Sequence, residues 1–176
     1  ILLAHPNIKE SQANKALVDA VSDMEGVAVF NLYELSQEIA FNIDEWSKII
    51  SDASAVIYQF PFYWMSAPSL LKKWQDEVFT FLSKTPAVAG KPLTVVTTTG
   101  SEYEAYRSGG RNRFTTDELL RPYQVSAIHS GMSWQTPIVV YGMGTADAGK
   151  NIAEGANLYK QRVEMLIGSS NAGNNW

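Results

Sequence analysis

Three short stretches of this 176-residue chain hold residues whose types and spacing could do chemistry. The first is "HPNIKESQAN", from His5 to Asn14. Ser11 precedes a helix-like pattern. Free backbone N–H groups and the positive end of the helix dipole gather at such a start, a setting that draws an anion such as phosphate. Ser11 and Asn14 add a hydroxyl and an amide, and His5 adds a ring N–H. Neither GxGxxG nor GxxxxGK[ST] occurs there, which argues against a Rossmann dinucleotide fingerprint and a P-loop. The competing reading is structural: Ser11 only caps the helix and His5 only ends a strand.

The second stretch is "QFPFYWMSAPSLLKKW", from Gln59 to Trp74. Loops ordinarily carry small polar residues, yet Phe62, Tyr63, Trp64 and Met65 stand here in a row. Pro61 can hold the backbone open while Phe62, Trp64 and Met65 form one wall for a flat aromatic ligand. The alternative is a packed cluster in the core or at a dimer contact. The third stretch is "TTTGSEYEAY". Thr98, Thr99 and Gly100 are small enough for a ligand to approach the backbone closely, and Tyr106 brings a phenol nearby. A strand ending in an ordinary turn is the other reading.

The elements that must position these stretches follow from hydrophobic spacing. Ile1–Ala4 is a short apolar run. From Ser11, Ala13, Leu17, Val18 and Val21 recur at helical spacing, and Gly26 closes that helix. Val27–Leu32 reads as a strand, Ile43–Ser51 as a weaker helix and Ala55–Phe60 as a strand. Pro68 suits a first helical turn, and Leu70, Leu71, Trp74, Val78, Phe79 and Leu82 extend that helix to Leu82. Leu93–Thr98 is a strand, Thr116–Ile128 a helix despite Pro122, and Pro137–Tyr141 the last strand. Ala146–Ile167 is the last helix, with Gly168 past its end and a polar, frayed tail over Ser169–Asn175. One domain over 1–168 and a tail over 169–176 result.

Strands alternating with helices predict an α/β fold with a parallel sheet. Five strands fit the flavodoxin-like order 2-1-3-4-5, a three-layer arrangement with helices on both faces. Ligands of such sheets sit outside the carboxyl ends of the strands, where the order reverses. The loops after strands one, three and four meet there, and they are the three stretches above.

Composition narrows the function. Hydrophobic residues are 45% and charged residues 18% of the chain, ordinary globular values. The net charge is −4 and basic residues are scattered, so no nucleic-acid footprint is expected. The chain has no cysteine and two histidines, His5 and His129, which excludes thiolate chemistry and a His-rich metal site. No apolar run approaches the roughly 20 residues of a membrane span. No signal peptide is visible, and a cytoplasmic protein is expected. The chain opens inside a strand end, which suggests a few residues ahead of Ile1.

Taken together, "AHP" with "SQANKAL", "QFPFYWMSAPSLLKKWQDEVF", "TTTGSEYEAYRSGGRNRF" and "LLRPY" resemble the NAD(P)H:quinone oxidoreductases of the flavodoxin-like fold. The likeness spans nearly the whole chain. It is strongest to the short bacterial branch, the general modulators of drug activity and the ancillary proteins of glutathione-regulated potassium efflux. The resemblance implies a bound flavin, a dimer, and hydride transfer from NADPH or NADH through flavin N5 to a quinone in a ping-pong sequence. It places His5, Ser11, Gln12, Ala13 and Asn14 at the flavin phosphate and ribityl chain. Pro61, Phe62, Trp64 and Met65 then line the isoalloxazine, while Thr98, Thr99, Gly100 and Ser101 meet its pyrimidine edge. Tyr106 matches the active-site tyrosine. The short chain favours FMN, with FAD the alternative used by longer relatives.

Two departures stand out. Longer relatives carry a histidine a few residues after that tyrosine, where this chain has "RSGGRNR". Arg107, Arg111 or Asn112 are the groups available there to stabilise charge. The segment "FLSKTPAVAGK" also lacks the Gly- and Tyr-rich insert that shapes the quinone pocket in many relatives. Two rival functions remain open. One is a regulatory subunit held at the inner membrane by a potassium-efflux protein. The other is a one-electron carrier of the flavodoxin type, whose compact Ser/Thr/Gly phosphate turn "HPNIKESQAN" does not match. Trp74, Phe79 and Phe81 point in different directions at 100° per residue, which itself predicts a homodimer.

Overall fold

A computed structural model describes residues 1–35 and 41–172. Strand β1 (Leu2–Leu3) is followed by α1 (Gln12–Asp19), β2 (Phe30–Asn31), α2 (Leu32–Leu35), α3 (Ile43–Asp52) and β3 (Val56–Pro61). Next come α4 (Ser69–Trp74), a π-helical turn over Gln75–Phe79, α5 (Thr80–Leu82) and β4 (Pro92–Thr98). The remainder is a 3₁₀ turn over Tyr103–Tyr106, α6 (Thr116–Leu119), α7 (Arg121–His129), β5 (Ser133–Trp134), β6 (Ile138–Val140) and α8 (Ala148–Ala172). All strand pairs are parallel, in the order β2-β1-β3-β4, with β5 and β6 both pairing β4.

The sheet is the middle of three layers, because side chains alternate across it. Tyr58, Phe60 and Val95 enter a core shared with Trp46, Leu71, Trp74 and Tyr123, from α3, α4 and α7. Ile57, Val96 and Val140 enter a second core with Leu17, Tyr159 and Val163, from α1 and α8. Strand β3 is buried at all six positions, as a central parallel strand covered on both faces must be.

Several expectations need correction. The sheet has six strands among the described residues, because the fifth position is filled by two pieces. Ser133 and Trp134 pair with Pro92 and Leu93, whereas Ile138 pairs with Val96, a register slip of one residue around Gln135–Pro137. Arg162 of α8 donates to the Thr136 carbonyl at 2.6 Å and stabilises this interruption. The expected strand Val27–Leu32 shrinks to Phe30–Asn31, since the Asn31 side chain accepts the Tyr33 N–H at 3.1 Å and turns the chain into α2. Thr116–Ile128 is two helices, broken at Leu120 (ψ 0°) with Pro122 in the first turn of α7. Helix α8 runs through Gly168 to Ala172, where the Ser169 hydroxyl donates to the Met165 carbonyl. The helix expected to end at Ile167 thus ends at Ala172, and residues 173–176 lie outside the described residues. Trp74 and Phe79 are both buried, so of the three aromatics expected at a dimer contact only Phe81 is exposed.

Helix α8 meets the sheet closely at one point. A Cβ on Gly155 would lie 2.4 Å from Val140 Cγ2, a β-branched side chain that cannot swing away. Gly155→Ala is expected to cost about 1–3 kcal/mol by overpacking. Thermal melts of the single variants and of Gly155→Ala with Val140→Ala test this. The double variant should lose less than the sum of the two singles.

Candidate functional site

The carboxyl ends of β1, β3, β4 and β6 open on a groove of about 450 Å³. Its walls include His5, Ser11, Gln12, Ala13, Asn14, Pro61, Phe62, Thr98, Thr99 and Gly100. Ten of the fourteen expected residues thus meet in one place, and no Asp, Glu, Lys or Arg lines it.

The first wall is the start of α1. Ser11 caps it, its hydroxyl accepting the Asn14 N–H at 3.1 Å. The first-turn N–H groups of Gln12 and Ala13 have no intrahelical acceptor. His5 is buried, and desolvation lowers its pKa, so the ring is neutral at pH 7. Its Nδ1 accepts the Asn7 N–H at 3.1 Å, which leaves the proton on Nε2 as a donor.

Beneath this wall lies a buried amide pair. The Asn14 amide Nδ2 donates to the Thr98 hydroxyl at 2.9 Å, and Gln59 Nε2 donates to the Asn14 carbonyl at 2.8 Å. Asn14 Oδ1 and Gln59 Oε1 have no partner among the described residues. An orphaned acceptor costs on the order of 1–3 kcal/mol, so Asn14, which lines the groove, suits a ligand that brings a donor.

The aromatic stretch is a two-residue hairpin turn. Tyr63 and Ser66 exchange both backbone hydrogen bonds, at 2.9 and 3.0 Å. Trp64 (φ 48°) and Met65 (φ 64°) both take left-handed conformations, the type I′ geometry that normally calls for Asn-Gly. Ser66 Oγ and the Ala67 N–H meet the Tyr123 hydroxyl at 3.2 and 3.1 Å, which anchors the turn from below. The structure therefore buries neither Trp64 nor Met65: Trp64 is 97% exposed. Of the expected wall only Pro61 and Phe62 line the groove, joined by Tyr63, while Trp64 and Met65 stand outside its lining. A one-residue change of facing at a tight turn is invisible to hydrophobic spacing.

The third wall is held by a loop that sequence reasoning missed. The N–H groups of Gly142, Met143 and Gly144 donate to the carbonyls of Ser101, Thr99 and Gly100, each at 2.9 Å. A Cβ on Gly144 would lie 3.1 Å from the Gly100 carbonyl, so glycine permits this zipper. Met143, Ala148 and Ile152 complete the groove. The signal for them was the pair of glycines in "YGMGTADAGK" directly after the last strand. The N–H groups of Gly100 and Ser101 find no acceptor among the described residues.

Ser101 and Tyr106 are not in the groove's lining, although Ser101 directly follows Gly100, which is. The Tyr106 ring packs edge-on against Phe62 at 6.1 Å and tilted against Tyr141 at 5.9 Å. Burial raises its pKa, against the opposing pull of the Ser101 hydroxyl, the Arg111 charge and the Asn112 side chain. The hydroxyl therefore keeps its proton at neutral pH. Arg111 donates to Ser101 Oγ at 2.5 Å. The segment after Tyr106 folds back tightly, since a Cβ on Gly110 would lie 2.2 Å from the Glu104 carbonyl.

The family described by the flavodoxin-like fold matches residues 1–163. A Bacillus subtilis relative named as an uncharacterized NAD(P)H oxidoreductase, YdeQ, is 35% identical over 94% of this chain and 86% of its own length. The potassium-efflux ancillary protein KefG of Serratia proteamaculans is 36% identical over 80% of this chain and 79% of its own. A solved structure of general stress protein 14 from Treponema denticola, in complex with FMN, superposes with a TM-score of 0.84 at 28% identity. It covers 94% of this chain and 97% of that one. The chain belongs to the flavodoxin-like NAD(P)H:quinone reductase family, and it is an oxidoreductase.

Proposed function

We propose that the groove binds FMN and that the protein moves two electrons from NAD(P)H to a quinone, donor and acceptor using the same groove in turn. The observation that carries this is one uncharged groove with two unlike parts. One part of its lining holds the α1 N–H groups, Ser11 and neutral His5; another holds the free N–H group of Gly100, with that of Ser101 next in the chain. Pro61, Phe62, Met143 and Ile152 supply apolar surface to the same groove. A phosphate, a polyol chain and a flat heterocycle call for those features in that order. FMN bound to the Treponema relative supports the choice over FAD.

When bound, the flavin supplies the hydride chemistry. The chain's own residues do the rest. Gln12 and Ala13 would hold the phosphate through backbone N–H, and Asn14 Oδ1 would accept from a hydroxyl of the sugar chain. The Gly100 and Ser101 N–H groups would meet the carbonyl edge of the ring, where a fixed donor stabilises developing negative charge. Trp64 and Met65, raised beside the groove, would close over a bound ring from outside its present lining.

A homodimer belongs to this reading. Phe81, Val125 and Ile128 are 52, 56 and 61% exposed on the helical layer of α4, α5 and α7, apolar surface that a partner subunit would cover. A second reading, favoured by the KefG relative, is regulation of a potassium-efflux membrane protein through the same site.

The test is to denature purified protein and weigh the released cofactor. FMN at one per chain is expected, with NAD(P)H oxidised beyond one equivalent per flavin only when a quinone is supplied and the holoprotein sedimenting as a dimer. No affinity for any flavin would overturn the proposal. Holoprotein that binds an efflux protein but does not turn over would favour the second reading.

A further inference from the structure

We infer that the loop from Arg107 to Arg113 is a phosphate-reading rim that makes this protein select NADPH over NADH. The inference rests on the oxidoreductase reading above and deepens it.

The groove itself offers no cation to a phosphate. A nicotinamide dinucleotide is far longer than the groove, so its adenosine end must lie on the rim. Three guanidiniums, Arg107, Arg111 and Arg113, fall within seven residues in a chain whose net charge is −4. Arg111 is tied to Ser101 Oγ at 2.5 Å, next to Gly100 in the groove wall, so its charge sits at the rim.

These charges are not neutralised from within. The ion pairs among the described residues all join lysine to a carboxylate one helical turn away, and none includes an arginine. Glu102 and Glu104 lie on the same segment, yet neither pairs with the three arginines. Of the lysines beside the other walls, Lys15 and Lys150 are paired within α1 and α8, and Lys9 forms no ion pair among the described residues.

The loop is also built rather than loose. The Asn112 N–H donates to the Ala105 carbonyl at 2.9 Å, the Arg113 N–H to the Gly110 carbonyl at 2.9 Å, and Gly110 packs where no Cβ fits. Arg107 rests over the Tyr103 ring, 5.6 Å from its centre. A planar fork held at a rim suits a phosphate monoester, and the 2′-phosphate is the only one that separates NADPH from NADH.

The experiment uses FMN-loaded protein and its Arg111→Ala, Arg113→Ala and double variants. The ratio of kcat/KM for NADPH to that for NADH cancels any loss common to both donors. It should be about tenfold or more in wild type and approach one in the double variant. Calorimetry with 2′,5′-ADP and with 5′-AMP gives a readout free of turnover. 2′,5′-ADP should bind more tightly, by a margin that the double variant removes. A wild-type ratio near one, or a ratio and a binding margin untouched by the substitutions, would overturn the inference while leaving the oxidoreductase reading intact. Arginine-dependent binding of 2′,5′-ADP without turnover of either nucleotide would uphold the rim and sink the activity.

Discussion

Replacing Gln12 by glutamate is expected to weaken FMN binding about thirtyfold while leaving the apoprotein as stable as wild type, or slightly more so. Gln12 is the first residue of α1, is exposed, and lines the groove. A carboxylate there complements the helix dipole, worth about 0.3–1 kcal/mol. The same carboxylate faces the proposed phosphate. Repulsion between the two at near-surface dielectric is on the order of 2 kcal/mol, which is about thirtyfold in affinity. Fluorescence titration of apoprotein with FMN, beside thermal melts of the apoprotein, separates the two effects. The loss should shrink as salt rises. Unchanged affinity would mean that no phosphate is held at the start of α1.

Tyr106→Phe should keep FMN bound and slow its reduction by NADPH about ten- to hundredfold. The hydroxyl is protonated at neutral pH and held beside Ser101, Arg111 and Asn112. If that hydroxyl donates to the negative charge on the reduced ring, its removal costs one hydrogen bond to a charged group, roughly 1.5–3 kcal/mol, a factor of about ten to a hundred if fully expressed in the transition state. Stopped-flow bleaching of the flavin absorbance is the measurement. Reduction at the wild-type rate would confine Tyr106 to its packing against Phe62 and Tyr141.

Much of this site was legible before any coordinates. Loops after parallel strands must meet at the carboxyl edge, so the loops His5–Ser11, Pro61–Ser66 and Thr98–Tyr106 could be assigned to one edge from element order alone. What spacing could not show was facing within a turn. Size and apolarity mark Trp64 and Met65 for a wall, but where a side chain points depends on φ, and the positive φ at both leaves them outside the groove's lining. The Gly142–Gly144 loop escaped notice because its contribution is backbone N–H, which any sequence supplies. The shortness of β2 and the split of β5 from β6 had a related cause. Asn31 and Arg162 act through hydrogen bonds to backbone, and these leave no hydrophobic pattern.

The interrupted fifth strand has a consequence for how the protein behaves in a crowded solution. A sheet grows by adding strands to its outer rows of unpaired backbone, and long, flat outer rows invite aggregation. Here one outer strand is Phe30–Asn31, and the other is split into Ser133–Trp134 and Ile138–Val140 with Pro137 between them. Among the described residues, both outer strands are only two or three residues long. Short, broken outer rows of this kind are a feature that keeps sheets from seeding one another at high concentration.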